Sequence, residues 1–92
     1  MKSISQVIRD LVVAFEMTPA EINHGYCADF AHAIWEKFGR DYNKITFTDT
    51  VDAGGEEESI GWHVWIIYQG KHYDAACPDG VKDWKDLPIW KT

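Results

Sequence analysis

The sequence predicts an α+β domain, with N-terminal helices packed on a small antiparallel sheet of about three strands. Two observations carry that expectation. Apolar residues recur at helical spacing from Ile4 to Phe38, and runs of β-branched and aromatic residues dominate from Lys44 to Ala76. Helices gathered first and strands gathered after them favour a segregated α+β arrangement over an alternating parallel sheet.

The first helix puts Ile4, Val7, Ile8, Leu11, Val12 and Phe15 on one stripe, and Ser3 followed by Gln6 has the form of a capping box. A stripe of this kind reads as a packing face without chemistry. Thr18-Pro19-Ala20-Glu21 marks a second start: Thr18 caps, Pro19 takes the first helical position, and Glu21 completes the box. That helix stops near His24-Gly25. A third begins around Tyr26 and runs to Phe38, ended by Gly39. Its stripe is Cys27, Phe30, Ala31, Ile34, Trp35 and Phe38. Cys27 therefore faces inward, but from the first turn, at the edge of a core and within reach from outside.

Lys44 to Val51 reads as a strand, and Asp52 to Ser59 as a solvated acidic loop. Gly61 to Tyr68 is the strongest strand, Gln69-Gly70 a two-residue hairpin turn, and Lys71 to Ala76 the returning strand. Pro78-Asp79-Gly80 reads as a turn, and the tail from Val81 to Thr92, with Trp84, Leu87, Pro88, Ile89 and Trp90, as irregular structure packed on the sheet. With no internal repeat and no linker, residues 1–92 form one domain.

An apolar content of 46% and five Trp argue for a real core. The net charge is -6 and Lys and Arg form no cluster, which argues against nucleic acid and against anionic membrane surfaces as partners. No stretch approaches the ~18 apolar residues of a membrane span. Arg9 and Asp10 interrupt the apolar start, so no signal peptide is expected. Two cysteines, Cys27 and Cys77, do not make a disulfide scaffold, and a reduced, cytoplasmic protein is the expectation.

Cys27 carries the chemistry. At a helix start, peptide dipoles and free N–H groups stabilise a thiolate, which is the nucleophilic form. The hairpin supplies partners. A two-residue turn sets Tyr68 opposite Lys71, Ile67 opposite His72, Ile66 opposite Tyr73 and Trp65 opposite Asp74. Strand side chains alternate between faces, so His63, Trp65 and Ile67 share one face with His72, Asp74 and Ala76. His63 and Asp74 are then diagonal neighbours. If Cys27 packs onto that same face, a triad follows. Cys27 is the nucleophile, His63 the general base and acid, and Asp74 the group that orients the imidazole. The Cys27 backbone N–H and the Asn23 side chain are candidate oxyanion donors. Tyr26, Trp62 and Trp65 are candidates to line a substrate groove.

Gly25-x-Cys27-x-Asp29-Phe30-Ala31, His63-Val64-Trp65-Ile66 and Tyr73-Asp74-Ala75 together resemble the papain-like and transglutaminase-like cysteine hydrolase superfamily. The resemblance covers roughly residues 22–80, and Glu21 stands where papain-type enzymes carry a Gln. It implies a minimal, single-lobed papain-like/transglutaminase-like core, in which a Cys-bearing helix packs on an antiparallel sheet. It also implies thiol acyl-transfer chemistry (peptidase, amidase, deamidase or transglutaminase), with Cys27, His63 and Asp74 as the triad. A hydrolase of this kind is expected to need no cofactor.

Other readings stay open. Cys27 also fits an inert core thiol, and His63, near Trp62 and Trp65, a satisfied core histidine. Asp74 would be solvated if its strand lies at an edge. His72, near the hairpin end, is expected to face solvent, and Cys77 to be structural. His24, Cys27, His63, His72 and Asp74 are zinc-ligand types without tight ligand spacing, so no metal site is expected. Three functional classes compete: a small cysteine hydrolase or acyltransferase acting on an amide, peptide or thioester; a catalytically degenerate fold that binds or inhibits a protein partner; and, least favoured, a zinc-binding structural domain.

Overall fold

The computed structural model describes residues 3–39, 45–50 and 63–91. The expected acidic loop at 52–59 and the groove candidate Trp62 lie outside the described residues.

Helix α1 spans Ile4–Phe15. Ser3 Oγ accepts the Gln6 N–H at 3.2 Å, satisfying one of the free donors of the first turn. Only half of the expected box forms, because the Gln6 side chain turns forward to Asp10 Oδ1 at 2.9 Å. Helix α2, Pro19–Asn23, has the complete box between Thr18 and Glu21. Helix α3 spans Cys27–Ile34 and runs on into a π-helical turn, Trp35–Gly39. The third helical segment thus covers the expected stretch, with its last turn wider than an α-helix.

Four antiparallel strands form one sheet in sequence order: β1 (Thr46–Asp49), β2 (Val64–Tyr68), β3 (Lys71–Asp74) and β4 (Cys77–Val81). The hairpin register is the expected one, with Tyr68 opposite Lys71, Ile67 opposite His72 and Ile66 opposite Tyr73. Gln69 (φ 49) and Gly70 (φ 77) both take the left-handed region, as two-residue turns that match strand twist require.

The fourth strand corrects two expectations: the sheet has four strands rather than about three, and Pro78-Asp79-Gly80 is not a free turn but part of β4. Two features make this possible. Pro78 is tolerated because β4 is an edge strand. Gly80 (φ 77) lets the backbone approach the Tyr73 ring, where a Cβ would meet ring carbons at 2.7 Å. The β3–β4 pairing shifts register between His72 and Asp74, the bulge that a strand glycine commonly accompanies.

The helices cover one face of the sheet. Ile4, Val7, Ile8 and Leu11 of α1, Ile22 of α2, and Phe30, Ala31 and Ile34 of α3 pack with Ile66, Tyr73 and Ala75. Phe15 and Phe30 meet edge-on at 5.1 Å. Alternation along β2 sends Trp65 to the opposite face. There the tail covers it with two 3-10 turns, Trp84–Asp86 and Pro88–Lys91, and with fully buried Leu87. Among the described residues no helix is long and apolar enough to cross a membrane.

Candidate active site

His63 lies just before β2, where its backbone is clamped to Thr50 at the end of β1. Its N–H donates to Thr50 Oγ1 at 3.0 Å, and its carbonyl accepts the Thr50 N–H at 3.1 Å. Thr50 is fully buried and had no place among the sequence candidates. Its signal was there, a hydroxyl residue at a strand end, but a Thr in a strand ordinarily reads as a packing choice.

The His63 side chain points to the tail-covered face. Its Nε2 lies 3.0 Å from Asp74 Oδ2, with the residues 1% and 3% exposed. A carboxylate only accepts, so Nε2 carries the proton. The second carboxylate oxygen is also engaged: Asp74 Oδ1 accepts the Ala76 N–H at 2.9 Å. Asp74 is therefore neither solvated nor unpaired. Both oxygens hold fixed donors, which is how a carboxylate becomes tolerable in a buried position.

With Nε2 committed, Nδ1 is the remaining functional atom. It is buried and has no hydrogen-bond partner among the described residues. A buried orphan nitrogen is unusual, and reactive sites are where such atoms collect. The thiol nearest in chemistry is Cys27. Thiol and imidazole are not in full hydrogen-bond geometry, yet each shifts the other's titration. Burial alone raises the Cys27 thiol; interaction with the His63 ring and with the Val64 and Ala28 N–H groups outweighs it and brings the thiol below its ordinary range. Burial likewise lowers His63, but the Asp74 carboxylate and the Cys27 sulfur together raise it above the usual imidazole value. Both shifts favour a thiolate–imidazolium pair. Cys77 behaves oppositely: burial, then the Asp74 carboxylate, push its thiol up, only partly offset by the Gly80 N–H.

The route by which Cys27 reaches His63 differs from the expected one. Helix α3 packs on the Ile66–Tyr73 face, opposite to His63 and Asp74. The thiol does not lie on the histidine's face; it comes round the end of β2, beside the Val64 N–H, where the strand has just begun. Cys27 is half-buried there at the first position of α3, as expected for the edge of a core.

Aromatic rings close over His63. Trp65 stacks on it at 5.6 Å and 24°, and Trp90 meets it edge-on at 5.8 Å. Trp84 stacks on the far side of Trp65 at 5.9 Å, and the Trp90 Nε1–H donates to the Trp84 carbonyl at 2.8 Å. The tail thus shields the His63–Asp74 bond from water. For Trp84 and Trp90 the sequence suggests core packing or a groove lining, not a cover over the histidine.

The other candidates divide. Asn23 is buried and borders the same crevice as Cys27, together with Phe30, Val64, Trp65, Tyr73 and Asp74. The crevice is too narrow for a water-sized sphere. Trp65 borders it, but at 1% exposure, beneath Trp84 and Trp90, it presents no groove surface to solvent. Tyr26, the residue before α3, is 47% exposed beside Cys27. His72 overturns its expectation: instead of facing solvent it is half-buried, and its Nδ1 accepts the Trp65 Nε1–H at 2.9 Å. The tail, by covering this face, displaces the solvent expected there. His24 is exposed, and among the described residues no three or more His, Cys, Asp or Glu side chains are grouped to hold a metal.

No protein-family model, no curated protein and no solved structure matches the chain.

Proposed function

We propose that the protein is a small cysteine-dependent hydrolase or acyltransferase that acts on an amide, peptide or thioester through Cys27, His63 and Asp74. The observation that carries this reading is the buried His63–Asp74 bond at 3.0 Å with the opposite ring nitrogen left without a partner among the described residues. The downward shift of Cys27, against the upward shift of Cys77, supports it.

The Cys27 thiolate attacks the carbonyl carbon, and the C–S bond forms as the π electron pair moves to oxygen. The Cys27 backbone N–H and the Asn23 amide, which borders the same crevice, are the candidate donors for that oxyanion. Collapse of the intermediate breaks the bond to the leaving group, which takes the His63 Nδ1 proton. Water then adds to the acyl-thioester while Nδ1 accepts its proton, and the thiolate departs. An amine in place of water gives acyl transfer. Asp74 keeps Nε2 protonated throughout, so Nδ1 remains the atom that exchanges protons.

Hydrolysis of p-nitrophenyl acetate tests this. Acetyl should appear on the Cys27 peptide by mass spectrometry. Nitrophenolate release should vanish in Cys27→Ala and fall by about 10² or more in His63→Ala. Release unchanged in both variants would sink the catalytic reading.

The narrow crevice favours a second reading, a degenerate member of the same architecture that binds or inhibits a protein partner. Acetylation spread over surface groups without preference for Cys27 would support that reading over the first.

A further inference from the structure

The hydrogen bond between Trp65 and His72 lies outside the triad but touches it. Trp65 has one face of its indole against His63 and its N–H on His72. An indole N–H only donates, so His72 Nδ1 must carry a lone pair and its proton must sit on Nε2. Trp65 is 1% exposed, so no bulk water replaces that acceptor if it is lost. Its rings are held between His63 and Trp84, with Trp90 against its edge. A change in the angle of the indole is therefore transmitted to the imidazole stacked on it.

We infer that His72 is a positioning residue: through the Trp65 indole it holds the His63 ring with Nε2 on Asp74 and Nδ1 turned to Cys27, and it releases that hold when it is protonated. The inference rests on the triad proposed above and names a control on it. Protonated His72 carries N–H on both nitrogens, and two N–H groups cannot share the 2.9 Å contact. The bond breaks, and the indole must tilt or seek another acceptor.

The surroundings of His72 keep this switch off at neutral pH. Burial lowers its titration below the ordinary imidazole value, and the Asp83 carboxylate, in the segment after β4, offsets only part of that. From β2 the ring meets Trp65, and Ile67 of β2 and Val81 of β4 stand opposite His72 in the strand registers. Its own strand brings Lys71 and Asp74, the latter already bonded to His63 and Ala76. The histidine on the same face, His63, is shifted the other way. The two rings therefore charge in separate pH ranges, His63 first as pH falls and His72 later.

The test is a pH titration of the intact protein with two independent readouts. In NMR spectra the His63 carbon-bound ring protons should show two inflections: their own, and a second coinciding with the titration of His72 and with a shift of the Trp65 Nε1–H. His72→Gln keeps an acceptor and cannot be protonated; it should abolish the second inflection. His72→Phe, with no acceptor, should displace the His63 resonances at every pH. In parallel, alkylation of Cys27 should fall more steeply on the acid side in the wild type than in His72→Gln. The two should match near neutrality, while His72→Phe is slowed at least threefold there. Coincident His63 titrations in the wild type and His72→Gln would overturn the inference. That comparison needs only the wild type and one conservative variant, and it does not depend on Cys27 being reactive. If Cys27 proves no more reactive than Cys77 while the second inflection is present, the catalytic reading fails and the coupling between His72 and His63 stands.

Discussion

The two faces of the sheet are built from the same strands and do different work. The helix side is aliphatic: Ile4, Val7, Ile8, Leu11, Ile22 and Ile34 against Ile66 and Tyr73. It holds together by apolar burial, which is non-directional and tolerates small shifts. The tail side is aromatic and polar: His63, Asp74, Trp65 and His72 under Trp84 and Trp90. Its groups are fixed by hydrogen bonds with directional geometry, and a shift of an ångström would break them. Strand alternation makes the separation possible, since neighbouring residues such as Tyr73 and Asp74 face opposite layers. The aliphatic core lies on one face, and the buried His63–Asp74 pair lies on the other.

Breaking the helix side should show this most strongly. Ile8 is fully buried at the centre of α1, and Ile8→Ala should cost about 3 kcal/mol in urea unfolding. Cys27 should keep its alkylation rate in whatever fraction remains folded. Gly80→Ala brings a Cβ into the Tyr73 ring and forces an alanine to φ 77, a combined cost of about 2–3 kcal/mol. Its unfolding midpoint should fall well below that of the control Gly25→Ala, whose Cβ meets nothing within 4 Å.

Asp74→Asn attacks the polar side, with a penalty of about 2 kcal/mol from the weakened buried bonds. Its sign with pH is fixed by His63. That residue's folded titration is raised above the unfolded value, so its stabilisation is complete below about pH 6.5 and is lost as pH rises through the folded value. Denaturant curves should therefore put the variant's deficit higher at pH 6 than at pH 9. The smallest effect belongs to neither face. Glu16 caps α1 at φ 57, and Glu16→Gly should raise stability by about 0.5–1 kcal/mol in the same assay while leaving Cys27 reactivity untouched.

The legibility of the two faces also differs. The helix side follows from stripes at helical spacing: Ile4, Val7, Ile8 and Leu11 of α1 and Phe30, Ala31 and Ile34 of α3 are buried as the sequence indicates, while Trp35, on the same expected stripe, meets the exposed His32 ring outside the core cluster. The pairing of His63 with Asp74 was legible because a two-residue turn fixes register and register fixes which side chains share a face. The aromatic cover was not legible, because Trp84, Leu87 and Trp90 lie in 3-10 turns, where no period tells an inward residue from an outward one. The fourth strand hid behind Pro78 and Gly80, residues that ordinarily break strands and here sit at an edge and against a ring. The approach of Cys27 to the start of β2 depends on how α3 is set on the sheet, a tertiary placement that no local pattern encodes.

The contrast between the two cysteines tests the central claim most directly. Iodoacetamide at pH 6, with each site quantified by mass spectrometry, reads the thiolate fraction of both in one experiment. Cys27 should be alkylated at least tenfold faster than Cys77, and His63→Ala should erase the difference. Equal, slow rates at the two thiols in the wild type would contradict a thiolate–imidazolium pair at Cys27 and His63, and with it the proposed chemistry.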